Sequence, residues 1–280
     1  MLNRRVTDPD PWQVDQLDLD AYLARVGVPE TSPSREALDA LHEAHVRAFT
    51  FDNIDVLLDQ HPGVALDAVR DKFVGRGRGG YCFEHAVLFA AALERLGYRV
   101  ERRLGRVGGQ ARTHCVVVVS VDGEELLADP GFGMSVLRPI PLVDGAQQDH
   151  GGWGYRLREV SLGAVRGWTL ERWRDDDWEP MHTHDELPVR PADLAVGHHF
   201  TSTFPTIHFR TMLMLTKHLD GRHVAVTHET VTERRPGTPT EHRRLREGEL
   251  GELLEELSVP LTDAERAALD ERVRALRETA

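Results

Sequence analysis

The spacing of apolar residues predicts that the first third of the chain is helical. Leu19, Leu23 and Val26 recur on one face of a helical wheel, and Ser34 is a residue type that commonly opens a helix. Gly97 is suited to end the last of these helices, because glycine adopts the left-handed conformation common after a helix. The stretches with helical spacing are 19–26, 34–46, 66–74 and 82–96.

After Gly97 the apolar period shortens to that of β-strands. Four consecutive valines lie within 113–121, and Asp122-Gly123 is a typical two-residue hairpin turn. The predicted strands are 98–107, 113–121, 124–129, 155–160 and 168–174, with a turn at 175–177 leading into Trp178. Strands of this regularity favour a small antiparallel barrel or sheet.

The last third of the chain is predicted to contain both strands and helices. Two prolines within 187–191 indicate a boundary, and a hairpin is expected from strands 212–218 and 223–232 around Asp220-Gly221. Two helices close the chain. Thr262 with Glu265 three positions later predicts a capping box at the start of the last helix.

The composition is that of a soluble globular protein. Apolar residues make up 40% of the chain and charged residues 29%, and no stretch reaches the roughly 18 to 20 apolar residues of a membrane span. The first residues run into Asp8-Pro9-Asp10-Pro11 without an apolar segment, so we expect no secretory signal. Two cysteines are too few for a disulfide framework. We therefore expect a cytoplasmic protein with reduced thiols.

The charge distribution restricts the choice of partners. The chain has 34 basic and 46 acidic residues, a net charge of −12, which argues against nucleic acid as a ligand. Residues 247–280 carry ten acidic and four basic residues, whereas residues 70–112 carry ten basic and four acidic residues. The reversal around the first cysteine predicts a small anionic ligand there.

Cys82 is the first candidate for chemistry. It follows the glycine-rich stretch 75–80 and opens a predicted helix, where first-turn N–H groups favour a thiolate. Arg76 and Arg78 add positive charge nearby in sequence. A cysteine that only packs is the alternative interpretation.

His114 and Asp129 are the candidate base and its orienting carboxylate. With Asp122-Gly123 as the turn, Val121 faces Glu124. The residue numbers of any two facing residues in this hairpin therefore add up to 245. His114 then pairs near Gly131, two residues from Asp129. A carboxylate hydrogen-bonded to the imidazole would fix its tautomer and support an ion pair with the thiolate. Cys115 points to the opposite face and is expected to be a core thiol.

Two other motifs are weaker. His182-Thr183-His184-Asp185 is the nearest approach to a metal-ligand cluster, but no segment has the spacing of a known metal motif, and we expect no metal. Gly75-x-Gly77-x-x-Gly80 matches a dinucleotide fingerprint but follows a helical pattern rather than a strand. The glycines are better explained as a tight turn before Cys82.

Several motifs together resemble the arylamine N-acetyltransferase family. They lie in the family's order over roughly 18–209: Phe51-Asp52-Asn53-Ile54, Arg78-Gly79-Gly80-Tyr81-Cys82-Phe83-Glu84, Thr113-His114, Asp129-Pro130-Gly131-Phe132-Gly133, and Phe200-Thr201-Ser202-Thr203-Phe204-Pro205 ending in Phe209. Three departures from the family pattern stand out. Ala86 replaces the usual Asn, Pro130 replaces the usual Val, and the 32 residues from Cys82 to His114 imply a trimmed loop around Gly108-Gly109.

The resemblance implies an α+β fold with a papain-like core: an N-terminal helical bundle (1–97), a central antiparallel β-barrel (98–188) and a C-terminal α/β lid (189–280). It also implies a catalytic triad of Cys82, His114 and Asp129. Acetyl-CoA would acylate the cysteine, and an arylamine, hydrazine or hydrazide would accept the acetyl group. The matching positions for CoA binding are Thr113, Gly131, Phe132, Gly133 and Phe209, with Phe51 for the acceptor.

Three alternatives stay open at the level of sequence. The same triad could serve an amide synthase that releases or cyclises a biosynthetic acyl chain. It could also serve a hydrolase, or the chain could be a ligand-binding module in which Cys82 is merely buried. The sequence does not fix the oligomeric state, for which a homodimer is one option.

Overall fold

Helices dominate the part of the chain before residue 98. The computed structural model describes residues 10–109 and 111–279, so the expectation about a secretory signal, which concerns the first nine residues, lies outside the described part. A short 3-10 turn at Val14–Gln16 precedes the helices, and a π-helical turn at Asp71–Gly75 extends the fourth. The elements are α1 (Leu19–Val26), α2 (Arg35–Ala48), β1 (Phe51–Asp52), α3 (Ile54–Leu57), α4 (Leu66–Arg70) and α5 (Cys82–Arg95).

The middle of the chain forms an eight-stranded antiparallel sheet. Its strands are β2 (Arg99–Arg106), β3 (Arg112–Val121), β4 (Glu124–Ala128), β5 (Ile140–Pro141), β6 (Gln147–Asp149), β7 (Gly154–Leu162), β8 (Val165–Arg174) and β9 (Asp177–Asp185). The spatial order is β5-β4-β3-β2-β9-β8-β7-β6. Because β5 also contacts β7, the sheet is a nearly closed barrel.

The last third combines helices with a second antiparallel sheet. Its elements are α6 (Pro191–Thr203), α7 (His208–Thr211), β10 (Leu215–Leu219), β11 (Arg222–Val226), β12 (Thr230–Arg234), β13 (Glu241–Arg244), α8 (Glu249–Glu256) and α9 (Asp263–Thr279). The sheet order is β1-β10-β11-β12-β13. The helical region thus contributes β1 to this sheet, and the fold is α+β.

Most predicted elements agree with the structure. Val117 pairs with Ala128 and Val121 with Glu124, so the predicted hairpin register is confirmed. The Glu265 backbone N–H donates to Thr262 Oγ1 at 3.2 Å and the Thr262 N–H donates to the Glu265 carboxylate at 2.9 Å, which confirms the capping box.

Two expectations for the last third were wrong or incomplete. The strand predicted over 223–232 is two strands, β11 and β12, because Thr227 Oγ1 accepts the N–H groups of Glu229 and Thr230 and turns the chain there. Helix α6 was not predicted. Its sequence lacks an apolar stripe, and only Leu194, Gly197 and Thr201 of its residues are buried.

The core lies in three clusters, two of which share strand β3, while the third lies between the C-terminal sheet and helices α3, α8 and α9. Within α5 the residues from Cys82 to Leu93 are all buried, and the valines of β3 alternate between two clusters. Val117 and Val119 face the helices, whereas Val116 and Val118 face the barrel interior. None of the helices in the described ranges has the length and apolar character of a membrane span.

Candidate active site

Cys82 is the first residue of helix α5. The Tyr81 backbone N–H, just before it, donates to a carboxylate oxygen of Glu84 at 3.1 Å and so caps the helix. Cys82 is 3% exposed, and its Sγ lies 3.4 Å from the carbonyl oxygen of Thr113 at the start of β3. The position combines a helix N-terminus, which favours a thiolate, with a neighbouring strand end.

His114 and Asp129 meet beside this cysteine. His114 Nε2 donates to Asp129 Oδ2 at 2.9 Å, which leaves Nδ1 of the ring for the Cys82 thiol, its second side-chain partner. The hairpin register brings them close, since β3 pairs with β4 up to Val117, three residues after His114, and Ala128, one residue before Asp129. The structure therefore groups the three residues as the sequence predicted.

The electrostatics of the pair favour a charged imidazole. Burial lowers the pKa of His114, but the charge and hydrogen bond of Asp129, with the Cys82 thiol, raise it to about 10. Burial alone would raise the pKa of Asp129, yet the His114 and His182 imidazoles lower it well below its usual range. A protonated His114 stabilises a neighbouring thiolate, as nucleophilic catalysis by cysteine requires.

His182, on β9, was considered in the sequence only as a weak metal ligand, and its place beside Asp129 was not predicted. Its Nε2 lies 2.9 Å from Asp129 Oδ2, the same oxygen that bonds His114, and its ring lies 4.5 Å from that of His114. Burial and the proximity of His114 lower the pKa of His182, so this imidazole is neutral at pH 7. The sequence carried a weak signal: the alternation along β9 places His182 and His184 on one face, and both are buried.

The loop after Asp129 packs directly on the nucleophile. Gly131 lies so close that a Cβ there would sit 2.9 Å from Cys82 Cα and 2.8 Å from His85 Cβ. Pro130 removes one backbone donor, and the next N–H, that of Gly131, donates to Asp129 Oδ1 at 3.3 Å.

The far end of the same loop is held by the C-terminal sheet. The Gly133 carbonyl accepts from Thr216 Oγ1 at 2.7 Å and from His223 Nε2 at 2.9 Å. The Ser135 carbonyl accepts from His218 Nε2 at 3.0 Å. The loop that follows Asp129 is thus fixed between α5 and strands β10 and β11.

Aromatic rings surround the cysteine. The Phe132 and His114 rings meet edge to face, with their centroids 5.3 Å apart. The ring centroids of Phe51 and Phe209 are 6.3 Å apart. The Phe209 ring centroid is also 5.3 Å from that of Tyr81, the residue before the cysteine. Gly133 approaches Phe51, because a Cβ on this glycine would be 3.3 Å from the ring. Gly133, Phe51 and Phe209, three of the residues predicted to bind CoA or the acceptor, are thus linked by contacts to Tyr81, the neighbour of Cys82 in sequence.

Metal-ligand spacing occurs where His182, one residue of the cluster noted in the sequence, joins two residues of the triad. In the described part of the chain, the ligand atoms of His114, Asp129 and His182 all lie within 4.8 Å of one another. Hydrogen bonding through one carboxylate oxygen accounts for this spacing without an ion. Asp185, the carboxylate of the sequence cluster, is instead paired with Arg112 at 2.7 Å.

The expected positive charge around Cys82 is largely neutralised inside the protein. Arg78 is 1% exposed and its guanidinium lies 2.5 Å from Asp55 and 3.1 Å from Glu265. Lys72 is equally buried and bonds Glu84 at 2.8 Å and Asp55 at 3.1 Å. These cations stabilise the fold behind the helix start. Arg78, which the sequence places near Cys82, therefore gives its charge to Asp55 and Glu265.

The sequence profile of the N-acetyltransferase family matches residues 34–264. An arylamine N-acetyltransferase / N-hydroxyarylamine O-acetyltransferase from Salmonella typhimurium is 34% identical over 233 residues, 80% of this chain and 81% of that protein.

Solved structures agree with this match. An arylamine N-acetyltransferase from Mycobacterium abscessus superimposes with a TM-score of 0.88 at 34% identity and covers 94% of this chain and 97% of its own. The Mycobacterium marinum arylamine N-acetyltransferase in complex with CoA superimposes with a TM-score of 0.86 at 33% identity, covering 92% and 99%.

Proposed function

Because the chain belongs to the arylamine N-acetyltransferase family, we propose that it transfers the acetyl group of acetyl-CoA to an arylamine, hydrazine or hydrazide through an acetyl-Cys82 intermediate. The observation that carries this proposal is the arrangement of Cys82 at a helix N-terminus beside His114, whose other ring nitrogen bonds Asp129. The relative from M. marinum, solved in complex with CoA, supports acetyl-CoA as the donor.

In the first half-reaction the Cys82 thiolate attacks the carbonyl carbon of the acetyl thioester. The bond between that carbon and the CoA sulfur breaks, and the His114 imidazolium gives its proton to the departing thiolate. Backbone N–H groups in the first turn of α5 are oriented to stabilise the oxyanion that forms on the way. Asp129 keeps the imidazole in one orientation through both transfers.

In the second half-reaction the amine nitrogen attacks the carbonyl carbon of acetyl-Cys82. His114, now neutral, takes the amine proton, the C–S bond to Cys82 breaks, and the thiolate–imidazolium pair is restored. Two half-reactions through one covalent intermediate predict ping-pong kinetics. Phe132, which contacts His114, and the neighbouring pair Phe51 and Phe209 are apolar rings that would favour a flat aromatic acceptor over water.

The fold, the thiols and the net charge support proposals about the domains, the location and the partners of the enzyme. We assign the helical, barrel and lid domains to 1–97, 98–188 and 189–280, with β1 as the strand that ties the first to the third. Cys82 and Cys115 are both free thiols, and a nucleophilic thiol needs a reducing compartment, which supports a cytoplasmic location. The net charge of −12 argues against a nucleic-acid partner.

Intact mass after mixing with acetyl-CoA tests the proposal. We expect the mass of one acetyl group on the wild type and on Cys115→Ala, and none on Cys82→Ser. Cys115 is the matched control thiol, because it is fully buried in the core facing away from His114. Addition of an aromatic amine or hydrazide should remove the adduct and yield the acetylated acceptor.

Two results would contradict the proposal. If Cys82 carries no acetyl adduct, whether or not an acceptor is present, the chain is not an acetyltransferase. An adduct that disappears in water as fast as it does with an amine would instead identify a hydrolase.

A further inference from the structure

A cavity lies within the C-terminal third of the chain, apart from the triad and from the loop that follows Asp129. Its volume is about 510 Å³, and it is lined by the end of α6, by α7, by the turn between β11 and β12 and by α9. Its polar lining residues are Thr203, Arg210, Thr211, His228 and Arg272.

The lining of this cavity offers hydrogen-bond donors and, among the described residues, no carboxylate. The hydroxyls of Thr203 and Thr211 already donate to backbone carbonyls of their own helices, at 2.6 and 3.2 Å. The two arginines and the histidine are therefore the groups that remain to donate to a ligand.

Arg272 carries a charge that no carboxylate balances in the described part of the chain. Its Nη2 donates to the carbonyl oxygen of Arg210 at 3.0 Å. Arg277, five residues further along α9, likewise donates to backbone carbonyls, those of His228 and Leu245. The region around the cavity is thus locally positive, although the chain as a whole has a net charge of −12.

Arg210 is neutralised only at the protein surface. Its Nη1 donates to the carbonyl oxygen of Val56 at 2.8 Å and to the Asp59 carboxylate. The Asp59 side chain is 74% exposed, so water screens this ion pair. A guanidinium has five N–H groups, more than these two contacts use, and Arg210 can therefore also donate to a ligand in the cavity.

His228 is buried with a nitrogen that has no partner. It lies in the turn between β11 and β12 and is 5% exposed, and among the described residues its buried Nδ1 has no hydrogen-bond partner. Burial lowers the pKa of His228, so the ring is neutral at pH 7. The single ring proton can lie on Nδ1, and a buried polar atom is costly until a partner is supplied. A ligand oxygen in the cavity would supply that partner.

The three donor residues belong to three separate elements. Arg210 is on α7, His228 is in the turn after β11, and Arg272 is on α9. A carboxylate presents two oxygens in one plane, whereas a phosphate group presents its oxygens tetrahedrally and is a preferred ligand of guanidinium groups. Donors that reach one cavity from three elements therefore fit a phosphate group better than a carboxylate.

Helix α7 joins this cavity to the aromatic residues near Cys82. Phe209 is the neighbour of Arg210 in this four-residue helix. The Phe209 ring contacts those of Phe51 and Tyr81 on the side of the active site. A ligand held by Arg210 would therefore act on the helix that carries Phe209.

We propose that this cavity binds a phosphate group through Arg210, His228 and Arg272, at a site separate from the active site, and that its occupant holds α7 and hence Phe209 in place. Inorganic phosphate and a small phosphate monoester present the same dianion to these groups. Binding at this site does not depend on the acetyl transfer proposed above, so either proposal can fail without the other.

Calorimetric titration with inorganic phosphate, glycerol 3-phosphate and succinate tests the site. We expect Arg272→Gln and His228→Phe each to weaken phosphate binding roughly tenfold, and Arg272→Lys to weaken it less. Arg274→Gln is the matched control, because Arg274 is exposed on the same helix and does not line the cavity. Tighter binding of glycerol 3-phosphate than of inorganic phosphate would support a monoester as the occupant, and the reverse order would support free phosphate.

Hydrogen exchange of backbone amides tests the link to α7. Saturating phosphate should slow exchange over residues 208–212 of the wild type and leave strand β3 unchanged. Arg272→Gln should show no slowing at the same phosphate concentration.

Four results would overturn the proposal. Phosphate affinity could be unchanged in both Arg272→Gln and His228→Phe, or fall equally in Arg274→Gln, and either result would exclude this cavity as the site. Succinate binding as tightly as phosphate would exclude the phosphate group as its ligand. Displacement of bound phosphate by CoA would show that the site is not separate from the active site.

Bound phosphate that leaves exchange over 208–212 unchanged would overturn the link to Phe209. A failure of Cys82 to become acetylated would instead overturn the proposed function, and it would leave the titration result unaffected.

Discussion

His182 contacts the same oxygen of Asp129 that accepts a hydrogen bond from His114. His182 Nε2 and His114 Nε2 each lie 2.9 Å from Asp129 Oδ2, so two imidazoles share one carboxylate oxygen. The other oxygen, Oδ1, accepts the Gly131 N–H. Burial and His114 lower the pKa of His182, which is therefore neutral, and its Nε2 carries the ring proton because it faces a carboxylate oxygen at 2.9 Å. It is a positioning residue in the proposed mechanism.

Replacing His182 should slow the chemistry at Cys82 without removing the nucleophile. His182→Phe removes a polar contact to the charged Asp129 carboxylate, and we expect the rate of Cys82 alkylation by iodoacetamide to fall roughly tenfold. His182→Gln can still donate to Asp129 and should retain more of the rate. The measurement is the pH profile of alkylation. Wild-type profiles in both variants would show that the contact has no role in catalysis.

The stability of the protein should depend on pH through His114. Its pKa rises from the ordinary 6.5 to about 10 on folding, so the folded chain binds this proton more tightly than the unfolded chain. The resulting stabilisation is complete below about pH 6.5 and is lost as the pH rises through about 10. Urea unfolding at pH 6, 8 and 10 should show the wild type losing its advantage over His114→Gln. A constant difference between the two would contradict this.

Local features of the sequence were enough to predict that His114 and Asp129 lie close together and that Cys82 begins a helix. The valine run of β3 and the Asp122-Gly123 turn fix a register that depends on adjacent residues, and this register carries His114 towards Asp129. Cys82 was placed at a helix start by the glycines before it. These are short-range determinants, which a single sequence displays.

The features that sequence reasoning missed depend on contacts between distant segments. His182 reaches Asp129 because β9 pairs with β2 as well as with β8, an order that no local pattern specifies. Arg78 is neutralised by Asp55 and Glu265, which lie 23 and 187 positions away. The charge of a sequence stretch therefore did not reveal which cations face solvent.

The buried ions behind α5 should be essential for stability. Lys72, 1% exposed, lies between Asp55 and Glu84, and Glu84 caps the helix that begins at Cys82. Lys72→Met leaves two buried carboxylates without their shared cation, and we expect a loss of about 3–5 kcal/mol in the free energy of unfolding. Arg76→Gln is the control.

Arg76 is 49% exposed and lies 3.8 Å from Asp55, so its removal should cost at most about 1 kcal/mol. Urea denaturation of both variants measures the difference. Equal losses in the two would mean that burial of Lys72 does not determine its contribution.

Gly131 should tolerate no side chain. A Cβ would lie 2.9 Å from Cys82 Cα and 2.8 Å from His85 Cβ, and neither atom can rotate away. In Gly131→Ala the loop must therefore move, carrying with it Asp129 and the Phe132 ring that packs on His114. A misplacement of about 1 Å can cost roughly a hundredfold in rate, and we expect a loss of that order in the acetylation of Cys82.

Gly75→Ala is the matched control, because its Cβ meets no atom within 4 Å. Quenched-flow intact mass gives the rate, and a Gly131→Ala variant as fast as Gly75→Ala would show that this close packing is not needed for the reaction.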